Sequence, residues 1–168
     1  RLDFGGIGKG MALDKAEHIL RRYGIKSALL SGGDSSMVAI GAPPGKENWR
    51  IGIDNPYNKE DRLGFVSLRD ESLSTSACYH FRAGSTEDRP CGIFDPRTGW
   101  GVTDMLSATV VAPTGTQTDA LSTAFYVMGL EKAREFCANH PEVRAVLVEQ
   151  PEDGLPEPVK INWAKETN

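Results

Sequence analysis

The amino-acid sequence predicts an α+β fold, in which helices flank a mostly antiparallel sheet. Two long stretches show apolar residues at helical spacing, and several short apolar runs end at Gly, Pro or Asp. Because short runs joined by short turns are typical of antiparallel pairing, we expect one sheet with two helices packed against it. The length of 168 residues suits one domain, or a lobe of a larger one.

The first helix is predicted over about residues 10–23. Its apolar residues recur at helical spacing, and Gly24 stands where a helix usually ends. Short strand-like runs bounded by turn residues follow it. They cover residues 26–30, 37–40, 49–53, 63–68 and, as one more short strand, 72–76.

A long loop and a second helix are predicted next. Residues 82–106 contain many Gly, Pro, Asp and Arg residues and predict an ordered loop, which at that length is typically functional. Residues 107–112 have the composition of a buried strand. The second helix is predicted to begin near Thr118 or Asp119 and to be interrupted at Gly129.

The end of the chain completes the predicted organisation. The second helix resumes over residues 130–139, and a last strand covers residues 144–149. From Pro151 onward we expect a weakly ordered tail. We therefore divide the chain into a lobe over residues 1–150 and a tail over residues 151–168.

Charge and cysteine content exclude several classes of protein. Nineteen Lys and Arg against 23 Asp and Glu give a net charge of −4, whereas a nucleic-acid-binding domain carries a basic patch. Cys78, Cys91 and Cys137 form no C-x-x-C pair, so no zinc–thiolate site is expected. A disulfide between Cys78 and Cys91 stays open. No apolar run approaches the ~20 residues that cross a bilayer, so we expect no spanning segment.

The first ten residues predict a turn that binds an anion. The stretch from Asp3 to Gly10 is glycine-rich and leads into the first helix, a common way to offer backbone N–H groups to a phosphate. A dinucleotide fingerprint is excluded because its last glycine would fall on Met11, and a Walker A motif because its hydroxyl position is Gly10. The alternative is a glycine turn that packs a helix against the sheet. Lys9 favours the phosphate interpretation.

A carboxylate and two hydroxyls share one face of the second helix. Asp119, Ser122 and Thr123 stand at positions i, i+3 and i+4. Such oxygen ligands suit Mg²⁺. The alternative is that Thr118 or Asp119 is the N-cap of the helix, which is a far commoner role for these residue types.

Five motifs in order resemble the ApbE-type flavin transferases, which move FMN from FAD onto a protein threonine with Mg²⁺. The resemblance covers about residues 3–150. The matching segments are the glycine-rich turn (3–10), the Gly-Gly-Asp turn (31–34), Ser-Thr-Ser (74–76) with Tyr79 and Phe81 after it, Phe-Asp-Pro-Arg-Thr-Gly (94–99) and Asp-Ala-x-x-Thr (119–123). The resemblance implies an ApbE-like (T-fold-like) domain. Because the chain starts without Met and directly in the first motif, we expect its N-terminal part to be missing.

The resemblance also implies roles for individual residues. FAD would be bound by Asp3, Lys9, the turn residues Gly32, Gly33 and Asp34, and Phe94 just before the Asp-Pro pair. Mg²⁺ would be bound by the backbone carbonyl of Gly6 and by the side chains of Asp119 and Thr123. The implied partner is an acceptor protein that carries a threonine flavinylation site. Family habit alone suggests the periplasm or cell envelope.

One residue departs from the family pattern. Gly92 stands where the family has the histidine of its His-x-x-Asp-Pro motif, and Cys91 and His80 are nearby candidates to replace that histidine. Glycine offers no side chain to move a proton. Two alternatives to FMN transfer therefore stay open: a non-catalytic FAD-binding relative, and a Mg²⁺-dependent FAD pyrophosphatase that gives FMN and AMP.

Overall fold

The computed structural model describes residues 3–58, 60–78, 92–151 and 157–163. Over those ranges it confirms the predicted α+β class. The helices are α1 (Gly8–Arg22) and α2 (Gly115–Ala138). The strands are β1 (Ala28–Ser31), β2 (Ser36–Ile40), β3 (Trp49–Asp54), β4 (Arg62–Leu68), β5 (Ser72–Ala77), β6 (Met105–Ala112), β7 (Arg144–Glu149) and β8 (Val159–Ile161).

Six of these strands form one sheet between two covering layers. Its order is β1-β2-β5-β6-β7-β8, and every neighbouring pair is antiparallel. The two helices cover one face. On the other face, the antiparallel hairpin of β3 and β4 packs against apolar residues of the sheet. Most consecutive strands therefore pair, but β2–β3 and β4–β5 do not, because the chain crosses to the other face of the sheet to form the β3–β4 hairpin and then returns.

The two central strands are buried because both faces of the sheet are covered. All eight residues of β6 are buried. Val110 and its neighbours at alternate positions pack in the cluster that contains Phe125 and Tyr126 of α2, whereas Val111 packs in the cluster beneath the hairpin. Successive residues of a strand point to opposite faces. An apolar residue is therefore favoured at almost every position of β6.

The second helix begins earlier than the sequence predicts. Thr114 is its N-cap, because the Thr114 hydroxyl accepts a hydrogen bond from the Gln117 N–H at 3.2 Å. Thr118 and Asp119 therefore lie inside the helix, and the interpretation of either one as its N-cap is wrong. The predicted interruption at Gly129 is confirmed, since that residue has φ 81° and ψ 176°.

The predicted strands are present with ends shifted by one or two residues, and the tail needs a correction. Residues 159–161 form β8, which pairs with β7, and Ile161 is only 7% exposed. The expectation of a weakly ordered tail is therefore wrong at this point. The division into a lobe and a tail stays a prediction. Within the described ranges no helix is long and apolar enough to cross a membrane.

The two helices touch through backbone atoms. A Cβ placed on Gly10 would lie 2.0 Å from the Gly115 carbonyl oxygen and 2.8 Å from the Asp119 Cβ. The Asp14 carboxylate of α1 accepts hydrogen bonds from the backbone N–H groups of Gly115 (2.6 Å) and Thr116 (2.9 Å) at the start of α2. Asp14 therefore caps α2 from α1, and its negative charge faces the positive end of the helix dipole.

Cysteine chemistry differs between two of the three residues. Cys78 is disulfide-bonded, and Cys91 lies outside the described residues. Cys137 is a buried free thiol in the core beneath α2, and burial raises its pKa to about 11. Cys137 therefore stays protonated at neutral pH and fills space as a small apolar residue.

We expect Gly10→Ala to lower the free energy of unfolding by about 2 kcal/mol or more, because the added methyl group overlaps the Gly115 carbonyl. The matched control is Gly8→Ala in the same helix, where a Cβ would meet its nearest neighbour at an ordinary 3.7 Å. The control should be neutral or stabilising by about 0.5 kcal/mol. Urea unfolding of both variants measures the difference. Equal stabilities would contradict the close approach of the helices.

Candidate functional site

A cavity of about 550 Å³ opens where the glycine-rich turn meets the sheet and α2. Four parts of the chain line it, together with Thr123 of α2. These parts are the glycine turn (Asp3, Gly5, Gly6, Lys9), the residue before β2 (Ser35), the end of β5 (Thr75, Ser76, Ala77) and the start of the loop that leads to β6 (Gly92, Ile93, Phe94). Residues of four of the five sequence motifs therefore meet at one opening, and the Gly-Gly-Asp motif is the exception.

The glycine-rich turn is a compact backbone structure. The Phe4 carbonyl accepts hydrogen bonds from the N–H groups of Ile7 (3.1 Å) and Gly8 (2.7 Å), and the Asp3 carboxylate accepts one from Gly5 N–H at 2.8 Å. Helix α1 follows with Ile7 as N-cap, no side-chain cap and no acidic residue in its first turn. The positive end of α1 therefore faces the cavity without an acidic side chain of its own.

Asp119 supplies a negative charge from α2. Its side chain is 4% exposed. One carboxylate oxygen, Oδ2, accepts a hydrogen bond from Gly10 N–H at 2.9 Å, and the other, Oδ1, lies 3.4 Å from Lys9 Nζ. A buried charge is costly unless it is paired, and here both a helix N–H and an ammonium group pair it.

Thr123 lies one helical turn after Asp119 and borders the glycine turn. Its hydroxyl donates to the Asp119 carbonyl at 3.2 Å, which leaves the oxygen lone pairs to accept. A Cβ placed on Gly6 would lie 3.2 Å from the Thr123 Oγ1. Gly6 therefore brings its backbone close to the hydroxyl, where a larger residue would press on it.

These oxygens form the part of the site that suits a cation. In the described part of the chain no group of three or more His, Cys, Asp or Glu side chains comes together to hold a metal. The donor set is instead one carboxylate, one hydroxyl and nearby backbone, all hard oxygens. Mg²⁺ is bound through few protein oxygens and completes its shell with water and phosphate. The residues present therefore fit Mg²⁺ better than a softer ion.

A layer of hydroxyls joins α2 to β5 beneath the cavity. Ser74 Oγ lies 3.0 Å from Thr118 Oγ1, and Ser76 Oγ lies 3.0 Å from Ser122 Oγ and 3.1 Å from Thr123 Oγ1. The sequence places Ser122 on the same helical face as Asp119. In the structure its hydroxyl donates to the Asp119 carbonyl and contacts β5, so Ser122 joins the helix to the sheet.

The loop before β6 places the Phe94 ring and the Gly92 backbone at the opening of the cavity. Phe94 is 55% exposed and lines the cavity, as does Gly92. A Cβ placed on Gly92 would meet no atom of the described residues within 4 Å, so these residues leave room for a side chain. Next to Phe94, the Arg97 guanidinium holds the pKa of the Asp95 carboxyl below its usual value through hydrogen bonds.

The Gly-Gly-Asp turn lies beside this cavity. Gly33 has φ +76° and turns the chain between β1 and β2, and Gly32 packs on Leu13 of α1. Asp34 lines a second cavity of about 520 Å³ against the hairpin, and Thr75 lines both cavities. The assignment of Gly32, Gly33 and Asp34 to cofactor binding therefore stays a prediction.

The candidates to replace the family histidine, His80 and Cys91, lie outside the described residues. Two other residues of the site region were not predicted from the sequence. Asp14 holds the start of α2 in place, although its own sequence position is only a polar residue in an amphipathic helix. Ser35 lines the cavity, and its proximity to the Gly-Gly-Asp motif is the signal that points to it.

Comparison with known proteins agrees with this arrangement. A profile of the ApbE family matches residues 1–147. A protein of Treponema pallidum (strain Nichols) named FAD:protein FMN transferase is 33% identical, in an alignment that covers 88% of this chain and 43% of that protein. One of the same name from Rhodobacter capsulatus is 34% identical, in an alignment that covers 96% of this chain and 34% of that protein.

Solved structures are similar over nearly the whole chain. The ApbE protein from Thermotoga maritima has a TM-score of 0.79 at 30% identity, and a mutant of the flavin transferase ApbE from Vibrio cholerae has 0.80 at 25%. The match covers 94% and 95% of this chain but 50% of each of those chains. This chain thus spans half or less of the length of these relatives. By its sequence and by its fold, the chain belongs to the ApbE family.

Proposed function

We propose that the chain is a lobe of an FAD:protein FMN transferase, which moves FMN from FAD to a threonine hydroxyl of a partner protein and releases AMP. The proposal rests on one observation: Gly6, Lys9 and Thr123 line the same cavity, and the Lys9 ammonium lies beside the Asp119 carboxylate. The names of the curated relatives support the same activity.

The reaction exchanges one phosphorus–oxygen bond for another. The threonine oxygen attacks the FMN phosphorus of FAD, the bond from that phosphorus to the bridging oxygen breaks, and AMP leaves with the bridging oxygen. The threonine proton passes to a base or to water. Because phosphoryl transfer requires mainly positioning and charge stabilisation, a site built from a lysine and oxygen donors suits it.

Different residues of the cavity would bind different parts of FAD. The Lys9 side chain is 42% exposed and lines the cavity, so its ammonium group can contact a phosphate there as well as the Asp119 carboxylate. Phe94 offers a flat apolar surface for the flavin end, and Asp3 lines the same cavity. Mg²⁺ bound by Asp119, Thr123 and the Gly6 carbonyl would neutralise the pyrophosphate and stabilise the AMP leaving group.

Gly92 supports a second candidate function, a relative that binds FAD without transferring FMN. The position borders the cavity, and glycine has no group that accepts or donates a proton. Loss of a positioned acid or base typically costs ~10²–10⁴-fold in rate. A chain that kept the phosphate and cation residues but lost this group would bind FAD tightly and turn it over slowly.

The direct test mixes the full-length protein with FAD, Mg²⁺ and an acceptor peptide that carries a threonine. We expect intact-mass spectrometry to find an FMN-sized addition on the peptide and AMP in solution. Asp119→Asn should abolish the addition, since the amide still accepts from Gly10 N–H but lacks the charge for the cation. Bound FAD with no addition favours the non-catalytic relative, and free FMN with AMP favours the pyrophosphatase. No FAD binding at all would refute the family function for this chain.

Lys9→Met should change cation and FAD affinity in opposite directions. Without FAD, removal of the ammonium 3.4 Å from Asp119 should tighten Mg²⁺ binding by about fivefold, because one repelling charge is lost at a partly exposed site. FAD should bind about tenfold more weakly, because a charged hydrogen bond to phosphate is lost. Calorimetric titration measures both. Lys15→Met, the same change on an exposed position of α1, should alter neither. Weaker binding of both ligands in Lys9→Met would contradict this assignment.

Gly92→His tests whether the family histidine is the only group that this chain lacks for efficient FMN transfer. The described residues leave open space around the position, so we expect the variant to fold with an unchanged melting temperature. If transfer by the wild-type protein is slow, the variant should transfer FMN ~10²-fold faster or more, with a pH profile that follows a histidine near pH 6.5. Gly92→Asn, a side chain of similar reach that does not titrate, is the control. Equal rates in all three proteins would show that position 92 takes no part in proton transfer.

A further inference from the structure

We propose that Arg97 is a positioning residue, which holds the 93–102 hairpin against the break in α2 and thereby places Phe94 at the cavity. Here the 93–102 hairpin means the loop from Ile93 to Val102 that precedes β6. The kinetic part of this inference rests on the proposed function. The structural part concerns only contacts within the described chain.

The 93–102 hairpin is internally rigid. Its two sides pair through Phe94 and Gly101, and the Asp95 N–H donates to the Trp100 carbonyl at 2.8 Å. The Gly99 N–H closes the turn by donating to the Asp95 carbonyl at 2.8 Å. Because these bonds fix the hairpin's shape, its contacts with the rest of the protein decide where Phe94 lies.

Two regions of the hairpin contact the rest of the fold. At its base, Val102 is 8% exposed in the core, and Ile93 packs against the same cluster. At its tip, an Arg97 guanidinium nitrogen, Nη2, donates to the Val127 carbonyl of α2 at 3.2 Å. Phe94 lies between these attachments. A hairpin attached at its base alone would be free to pivot and carry Phe94 with it.

Arg97 is held in the geometry that this contact needs. Its Nε and Nη2 donate to both oxygens of Asp95, at 2.9 to 3.0 Å and 2.7 Å. The Arg97 backbone N–H also donates to Asp95 Oδ1 at 2.8 Å. Because both carboxylate oxygens are engaged, the planar guanidinium is fixed, and the second N–H of Nη2 points to α2.

The helix break creates the acceptor. Gly129 leaves the helical conformation, so Val127 lies in the last turn of the first segment of α2, where carbonyls lose their partners within the helix. Across the break, the Leu130 N–H meets the Glu149 carboxylate at 3.4 Å. A cation at the carbonyl end of a helical segment is also favoured by the helix dipole. The break in α2 and the Arg97 side chain therefore complement each other.

The consequence for the proposed reaction is a change in FAD binding with little change in rate. Phe94 would contact the flavin both before and during transfer. Loss of its placement should therefore weaken FAD binding and raise KM about three- to tenfold, and leave kcat within about twofold.

The test compares Arg97→Gln with Arg134→Gln, which removes an exposed arginine from the second segment of α2. In the full-length protein, hydrogen exchange in residues 93–102 should quicken by about tenfold in Arg97→Gln while β6 and β7 stay protected. Arg134→Gln should change neither exchange nor FAD affinity. Arg97→Lys, which keeps the charge but not the fork of donors, should fall between Arg97→Gln and the wild type.

A double-mutant cycle with Phe94→Ala separates positioning from a general loss of structure. If Arg97 acts through Phe94, Arg97→Gln should weaken FAD binding when Phe94 is present. In the Phe94→Ala background, the same substitution should raise the FAD dissociation constant by less than twofold. Additive effects, or unchanged exchange in the hairpin, would overturn the inference. If the wild-type protein binds no FAD, the proposed function fails, and hydrogen exchange still decides whether Arg97 holds the hairpin.

Discussion

The contact between Gly10 and Gly115 is the constraint on which the cavity depends. The two helices approach so closely that no side chain fits between them, and this lets the Gly10 N–H reach the Asp119 carboxylate. Asp14 strengthens the contact by capping α2 from α1. Without the close approach, Lys9 and Asp119 would lie on separate surfaces, and Thr123 would no longer lie against Gly6.

The sheet holds this contact in register. Helix α2 rests on β5 through the Ser74–Thr118 and Ser76–Ser122 hydroxyl pairs, which have little freedom to slide because each oxygen needs its partner. The β3–β4 hairpin covers the opposite face and leaves the edge near Thr75 open. Burial of apolar side chains therefore sets the distance between the sheet and the layers that cover it, and the hydroxyl pairs fix where α2 lies along β5.

Sequence reasoning recovered the parts of this molecule whose signals are local. Short apolar runs bounded by turn residues predicted the strands, and Gly129 predicted the break in α2. The ordered motifs predicted the family, and the resemblance assigned Lys9 to FAD and Gly6 and Thr123 to Mg²⁺; all three residues line one cavity. The start of α2 was missed because Thr114 and Asp119 have similar capping propensities, and only the tertiary contact with Asp14 distinguishes them. The Arg97–Val127 contact was missed because no local pattern connects a loop to a distant carbonyl.

The hydrogen bond from Gly10 to Asp119 joins residues 109 positions apart in the chain. Contacts of such long range form only after most of the loop-closure entropy between them has been lost. The cavity is therefore a property of the completed fold and has no counterpart in a partly folded chain. A ligand that binds there stabilises the native state against global unfolding, so occupancy in a cell would protect the β3–β4 hairpin from proteolysis that requires global unfolding.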